Sequence, residues 1–463
     1  MISKWWHRLF LEERPSISLA FFRVAVAVTT GCHVIPTFFQ LGENYYSMAF
    51  KTFNPVFFPV CVIEFIQKSP DSLVLFFVFV FLMTWFFFLI GLFTQINCIL
   101  MVLACYYFYA LNSFYIGTLS WDILLVTLFL ICVTPYPGDY FSLDCLRRGD
   151  VTAYKKTRPF FLQRLLQMQI AWTYFYTALY KISPPRGDWL KDNPIYYLMN
   201  YPVEGVTKTF LLKDFFSTHP HLCYWTGISI VVCELLMPFL LFYNRTRNSA
   251  IILGIFFHVV LILTFDVPAI FFFLFPTQLL LFIDPNKILR VIENKRLIAQ
   301  KGVRSIVVYD GKCGFCRRSV HQLQIMDLFN ALKMIDFNAK AQYGELFPGQ
   351  QDFIRFDSEG RMEAFLIIDL LATKEKEKVN NNVWLPAKSQ LHLIEPDGSI
   401  SGGYFVFRRI SWKLPMVYPF IPVLYFPGSG IVGPMVYRWV AKNRYLFHSN
   451  KTCQNNYCFI PKV

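Results

Sequence analysis

The sequence predicts an α-helical membrane bundle of about eight spans followed by a smaller cytoplasmic α/β domain. Three observations lead there. The 463 residues are 55% hydrophobic and 16% charged, against about 25% charged in a soluble domain. Residues 72–121 contain no charged side chain, and that run is about twice the ~20 apolar residues needed to cross a bilayer. Beyond about residue 290 the texture changes to short strands alternating with helices around a Cys-Gly-Phe-Cys motif.

The opening, MISKWWHRLFLEERPS, is polar and mixed in charge. It lacks a short apolar run leading to a small-residue cleavage site, so the first span is expected to act as an uncleaved anchor. The candidate spans are 16–38, 72–94, 96–112, 117–135, 163–182, 222–243, 248–265 and 269–284, the third and eighth being short. Residues 51–67 are apolar but broken by prolines and read as an interfacial segment. With the N-terminus inside, the inner segments carry 14 Lys and Arg and the outer segments 6. That asymmetry predicts an integral, multi-pass protein with both termini in the cytoplasm. The net charge of +14 is then an orientation signal with lipid-headgroup contact, and no basic surface interleaved with stacking aromatics argues for nucleic acid.

Residues 1–290 form the membrane domain, 291–302 a charged linker and 303–463 the second domain. In the last, RSIVVYDG reads as a strand, CGFCRRSVHQLQIMDLF as a helix, ALKMIDF as a strand and MEAFLIIDLLATKEKEK as a helix. QLHLIEPDGSISGGYFVF reads as a strand, a Pro-Asp-Gly turn and a second strand, and residues 412–444 as a proline-broken helical ending. Asn380–Asn382 form a loop, and no internal repeat is evident. Two βα units, a hairpin and terminal helices fit a thioredoxin-like α/β sandwich.

Of the 12 cysteines, eight are scattered through the membrane part and read as small buried hydrophobes. The other four pair as Cys313/Cys316 and Cys453/Cys458. A CxxC at a helix N-terminus has a mechanism: free backbone N–H groups and the helix dipole favour the Cys313 thiolate. Cys316, one turn later, resolves the mixed disulfide. Asp310 is either a buried proton acceptor or the turn residue of Asp-Gly. The alternative is a zinc site on Cys313, Cys316, Cys453 and Cys458, although the CxxxxC spacing of the second pair is looser than the usual knuckle. No other metal site is expected.

YDGKCGFC, with the later EPDGSISGGYFVFRRI and VYRWVAKNRYLF, resembles the DCC family of thiol–disulfide oxidoreductases over about residues 303–450. The resemblance implies a thioredoxin-like fold, a redox pair at Cys313 and Cys316, and Asp310 as the signature acid. A protein thiol is the expected client of such a pair. Thioredoxin folds place a cis-proline directly before the third strand. Pro386, the nearest candidate here, lies five residues before Leu391.

Ionisable residues within spans usually face a cavity or a partner. Here they are Arg23, His33, Asp122, Lys181, Glu234 and His258. His33 reads as a core histidine. Arg23 and Glu234 pair with each other or with polar backbone, or, with Asp122 and Tyr174, line a substrate site. Lys181 closes the helical run AWTYFYTALYK. It either snorkels to the headgroups or acts as a desolvated base.

YFYTALYKISPPRGDWL is similar to the Lys-Leu…Trp stretch of vitamin K-dependent γ-carboxylases. GIFFHVVLILTF resembles their later Phe-His span, LAFFRVAVAV their first-span Phe-Arg, GDYFSLD their Ser-acid turn, and Glu234 in VVCELLMPFLLF occupies an acidic position. Together these resemble the horizontally transferred transmembrane (HTTM) domain over about residues 15–285. The resemblance implies Lys181 as the base that starts oxygenation of a quinol, with His258 beside it and a quinone or lipid-like molecule as ligand. Two departures set glutamate carboxylation apart: Asn112 or Ser113 stands where the carboxylases have a His, and the last span is not followed by a large extracytoplasmic domain.

The combined expectation is a membrane oxidoreductase with a quinone-like membrane site and a cytoplasmic dithiol. The alternative is a non-enzymatic scaffold, transporter or peptide-maturation partner bearing the thiol domain. A span of about 30 Å separates the two sites, so either a mobile carrier couples them or they are two separate activities.

Overall fold

The computed structural model describes residues 6–41, 60–112, 118–183, 189–201, 213–264, 269–311, 313–336, 355–356, 362–363, 384–385, 390–397 and 399–443. Contacts divide the chain into two compact units, Met1–Arg147 with Tyr154–Leu289 and Arg148–Ala153 with Arg290–Val463.

The first unit is a helix bundle. A short ribbon, β1 (Glu13–Pro15) antiparallel to β2 (Thr157–Pro159), ties two chain segments together just before two long helices begin. Helix α1 (Ile17–Val34) leaves β1 and continues as a 3-10 turn over Ile35–Gln40. Short α2 (Val60–Gln67) is followed by α3 (Asp71–Ile90), α4 (Thr94–Leu111), α5 (Leu119–Cys132) and α6 (Leu143–Arg148). Helix α7 (Phe161–Ile182) leaves β2. Then come α8 (Pro194–Asn200), α9 (Lys213–Thr218), α10 (Pro220–Phe242), α11 (Arg247–Thr264) and α12 (Ala269–Leu280). The long helices share one core that includes Phe22, Phe81, Met101, Phe108, Leu124, Leu166 and Leu274.

Five of these helices are long and apolar enough to cross a membrane: Ile17–Phe39, α3, α4, α10 and α11. Three of the eight expected spans fall short of that standard. Helix α5 has 14 residues and α12 has 12. Helix α7 has 22 residues, and its polar content is turned inward. Gln163 and Gln167 both donate to the Leu281 carbonyl, at 2.6 and 2.8 Å. Gln169 donates to Thr127 and to the Ile123 carbonyl, both at 3.0 Å, and accepts from Gln278 at 3.1 Å. A hydropathy sum cannot see that the amides of α7 find hydrogen-bond partners on α5, on α12 and at the Leu281 carbonyl. Of the expected interfacial segment, residues 60–67 are the helix α2 and 51–59 lie outside the described residues.

Helix α13 (Pro285–Lys301) occupies the stretch expected to be a linker. The second unit is built on a four-stranded sheet: β3 (Ser305–Tyr309), β4 (Leu332–Asp336), β8 (His392–Ile394) and β9 (Ile400–Gly402), in spatial order β4-β3-β8-β9. Strands β3 and β4 are parallel, as their connection through α14 (Gly314–Met326) requires; β8 and β9 complete the sheet antiparallel. Alternation along β3 sends Val307 to a core with Leu323, Leu393, Val406 and Ile410, and Val308 to the other face with Ile394.

Two expectations here are corrected. Met362–Glu363, expected to begin a helix, is the middle strand β6 of a small antiparallel sheet with β5 (Arg355–Phe356) and β7 (Trp384–Leu385). Residues 364–383 lie outside the described residues. YFVF, expected to extend the last strand, is helical: β9 stops at Gly402, Gly403 takes φ 62°, and α15 (Tyr404–Ser411) begins. Positive φ at Gly403 is a conformation that breaks a strand and that glycine adopts without steric cost. The proline-broken ending is observed as a 3-10 turn over Pro415–Phe420, α16 (Ile421–Tyr425) and α17 (Ser429–Lys442).

Candidate functional site

Helices α7, α10 and α11 gather four of the sequence-predicted residues. Lys181 Nζ lies 2.5 Å from both carboxylate oxygens of Glu234. The two side chains are 17% and 7% exposed, so the ammonium points into the bundle and not to the headgroups. Trp189 lies beside the ammonium. Its ring centroid is 5.2 Å from Lys181 Nζ, and its backbone N–H donates to the Lys181 carbonyl at 3.0 Å. Two helical turns earlier on α7, the Tyr174 hydroxyl meets His258 Nε2 at 2.9 Å. The His258 ring stacks on Phe275 at 5.1 Å, and its Nδ1 has no hydrogen-bond partner among the described residues. Asp122 accepts from the Tyr109 hydroxyl at 2.9 Å, in the first turn of α5. His33 packs against Trp121 at 5.2 Å. Asn112 is buried, and Ser113 lies outside the described residues.

Arg23 is placed elsewhere. It is fully buried and donates to the carbonyls of Phe88, Leu89, Pro137 and Phe141. Arg23 is seven residues into α1 and Lys181 twenty-one into α7, and both helices start from the ribbon. The two are therefore about 20 Å apart along the bundle. The GDYFSLD turn converges on the same place. Asp139 accepts two hydrogen bonds from Arg158, at 2.9 and 3.0 Å, and one from Ser16 at 3.1 Å. Asp144 receives the backbone N–H groups of Phe93 and Thr94, capping α4. Gly91, at φ 70°, lies so close to this turn that an added Cβ would be 2.4 Å from Ser142 Cβ. Arg23 and the Ser-acid turn are thus one structural knot that fixes the ribbon end of the bundle.

In the second unit Cys313 is the N-cap of α14, and its Sγ accepts the Cys316 N–H at 3.4 Å. The Cys313 N–H donates to the Asp310 carbonyl at 3.2 Å, so the Asp310 backbone closes the turn leaving β3. The Gly311 N–H donates to Asp336 Oδ1 at 2.8 Å. A Cβ on Gly311 would stand 1.9 Å from Asp336 Oδ2, so any side chain there would have to displace the Asp336 carboxylate. Asp336 reaches this point because β4 pairs with β3 in register, Tyr309 opposite Asp336. Burial, with the Asp336 charge nearby, pushes the Tyr309 hydroxyl above its ordinary pKa. Cys313 is buried, whereas Cys316 is half-buried and lines a cavity of about 50 Å³ with Asp310, Phe315, Leu391, Phe407 and Tyr437. The thiol expected to resolve is therefore the more accessible one. Cys453, Cys458 and Pro386 lie outside the described residues.

Residues 12–286 match the HTTM domain. The chain belongs to the HTTM domain family. No curated protein and no solved structure matches it. This is a membrane protein related to carboxylase-like proteins, and the match covers every residue of the Lys181 cluster and of the Arg23 knot.

Sequence reasoning missed several residues of the HTTM unit. Trp189 was visible only as the Trp that follows the Lys motif. Asp139, Asp144 and Arg158 were read as orientation charge or as part of a turn. The Gln169–Thr127–Gln278 layer has no signature, because its members come from three helices. In the second unit, Asp336 carried one signal: an acid at the end of the strand following the CxxC helix.

Proposed function

We propose that this HTTM protein is a multi-pass membrane oxidoreductase whose second unit is a cytoplasmic, thioredoxin-like thiol–disulfide domain of the DCC type. The observation that carries the reading is Cys313 at the N-cap of α14, directly after the central strand β3, with its sulfur accepting the Cys316 N–H. Support also comes from the sheet order β4-β3-β8-β9, with a parallel βαβ unit followed by an antiparallel pair. A helix N-terminus favours an anion, which supports the thiolate of Cys313 as the attacking form. In the forward reaction that thiolate attacks a client disulfide and releases one client thiol. Cys316 then attacks the mixed disulfide, releases the second client thiol and leaves the Cys313–Cys316 disulfide. The pocket beside Cys316 receives the client, with Asp310 at its edge. The test is trapping in cells: Cys316→Ser should accumulate a mixed disulfide at Cys313, and the double variant none. No adduct with either single variant would refute the assignment. Zinc bound stoichiometrically by the purified chain would replace it with the structural-metal alternative.

The membrane unit has its own chemistry in this reading. Lys181 with Glu234 and Trp189, and Tyr174 with His258, support a site for a quinone-like or lipid molecule in which Lys181 acts as base and Glu234 as its proton partner. Asp122 belongs to the same end of the bundle; Arg23 serves as a structural residue. Both termini lie in the cytoplasm, which matches the basic residues Arg14, Lys156, Arg158, Arg164 and Arg247 near the ribbon end. Mass spectrometry of small molecules retained by the purified protein, wild type beside Lys181→Ala, tests this half. A quinone held by the wild type and lost by the variant supports it; ordinary phospholipid alone in both contradicts it. The scaffold alternative is favoured if Lys181→Ala retains full activity in cells while Cys313→Ser loses it.

A further inference from the structure

Helix α17 is apolar on two opposite faces. On one, Gly433, Tyr437, Val440 and Ala441 follow at i, i+4, i+7 and i+8, the spacing of a single helical stripe. That face is used within the unit. The Tyr437 hydroxyl accepts the Leu391 N–H at 3.0 Å, the Tyr404 ring lies against Gly433, and Val440 and Ala441 wall the pocket beside Cys316. On the other face Ile431, Val432, Met435, Val436 and Trp439 are each more than half exposed. The surface continues across the bend, where Val423 and Phe426 are 69% and 68% exposed. A soluble unit rarely leaves more than roughly a few hundred Å² of contiguous apolar surface bare, and this patch spans two helices.

The charge around the patch identifies its occupant. Residues 398–463 contain no Asp or Glu; Arg438 and Lys442 lie on α17 itself and Arg408 lies over the Tyr425 ring beside Gly430, while the more distant Lys413 is paired with Glu395 at 3.1 Å. A second copy docking here would bring two basic rims together, whereas an anionic lipid surface complements them. Trp412, Tyr418 and Trp439, all exposed, supply the aromatic side chains that favour the headgroup level. The geometry sets the depth. The two arms, Pro415–Tyr425 and Ser429–Lys442, meet at 114°. The longer arm reaches about 21 Å, short of the ~30 Å hydrocarbon core.

We propose that residues 415–442 are an interfacial anchor: the bent helix pair lies in the headgroup–acyl boundary of an anionic bilayer, its Phe426–Ile431 tip inserted. The docking does not depend on the thiol chemistry. It does place the pocket beside Cys316 at the membrane surface, since one helix forms part of both.

A photo-crosslinking benzoylphenylalanine in place of Phe426, or separately of Ile431, tests the anchor in the full chain. The protein is reconstituted in vesicles of phosphatidylcholine and phosphatidylglycerol, illuminated and digested for mass spectrometry. Both sites are exposed, so neither replacement disturbs packing, and the exposed Asp397 position is the control. Phospholipid adducts at 426 and 431, and none at 397, are expected. Adducts to peptides of the same chain or of a second copy, or no lipid adduct above the control, would overturn the proposal.

Discussion

Replacing Glu234 with Gln leaves the Lys181 ammonium without its counter-ion inside the bundle. The loss can be sized from the contact. Both carboxylate oxygens lie 2.5 Å from Nζ, and the side chains are 17% and 7% exposed. Breaking a buried ion pair by removing one partner costs about 3–5 kcal/mol. The Trp189 ring stays over the ammonium, and that contact is worth about 0.5–2 kcal/mol. With that contact retained, a loss at the lower end of the range, about 3 kcal/mol, is expected. At the 2–4 °C per kcal/mol typical of large units, the midpoint falls by roughly 6–12 °C. Cys98 and Cys105 are fully buried in this unit, and their reaction with a thiol-specific fluorophore on heating reports its unfolding in detergent. Lys181→Met should fall similarly. The double variant Lys181→Met/Glu234→Leu should recover most of the loss, because no uncompensated charge remains. Single variants that melt with the wild type, and a double variant no better than either, would refute the buried pair and return Lys181 to the headgroups.

Two further outcomes follow from the second unit. Gly311→Ala drives a Cβ to 1.9 Å from Asp336 Oδ2, and overpacking of this kind costs about 1–3 kcal/mol. Faster amide exchange at residues 306–311, partly restored by Asp336→Ala, is expected; unchanged exchange in Gly311→Ala would refute the close approach. His392 is buried in β8, and burial lowers its pKa from 6.5 to about 4. The unfolded chain takes up a proton as pH falls through 6.5 while the folded one does not. Stability is therefore greatest above pH 6.5 and declines toward pH 4, by about 3 kcal/mol in full. Amide exchange of β3 and β8, corrected for the intrinsic rate, should show that decline in the wild type and much less of it in His392→Phe. Equal pH dependence in both proteins would contradict the assignment.

What could be read from the chain depended on whether the signal was local. Cys313 and Cys316 follow an apolar strand and begin a helix, so their placement at the N-cap was legible within a dozen residues. The parallel pairing of β3 with β4 followed from the helix between them. Lys181 was recognisable as a motif, but its partner was not, since Glu234 is 53 residues away and two helices must pack before they meet. Arg23 illustrates the same limit. It was expected to pair with Glu234 or with backbone, and only the approach of α3 and the Tyr136–Phe141 turn decides for carbonyls. Helix α7 looked like an ordinary span by position, yet its glutamines form a buried hydrogen-bonded layer that lowers its hydropathy. Met362–Glu363 was misread because apolar residues in a short run do not distinguish a strand from the start of a helix.

The dithiol is tested most directly by equilibrating the purified full-length protein in glutathione buffers of stepped redox potential. Thiols are alkylated in acid, and the peptide spanning Cys313 and Cys316 is measured by mass spectrometry. A reversible, two-electron change between a doubly alkylated peptide and one carrying a Cys313–Cys316 disulfide is the predicted result. A peptide that stays doubly alkylated at every potential, or a Cys313 that pairs only with Cys453 or Cys458, would contradict it.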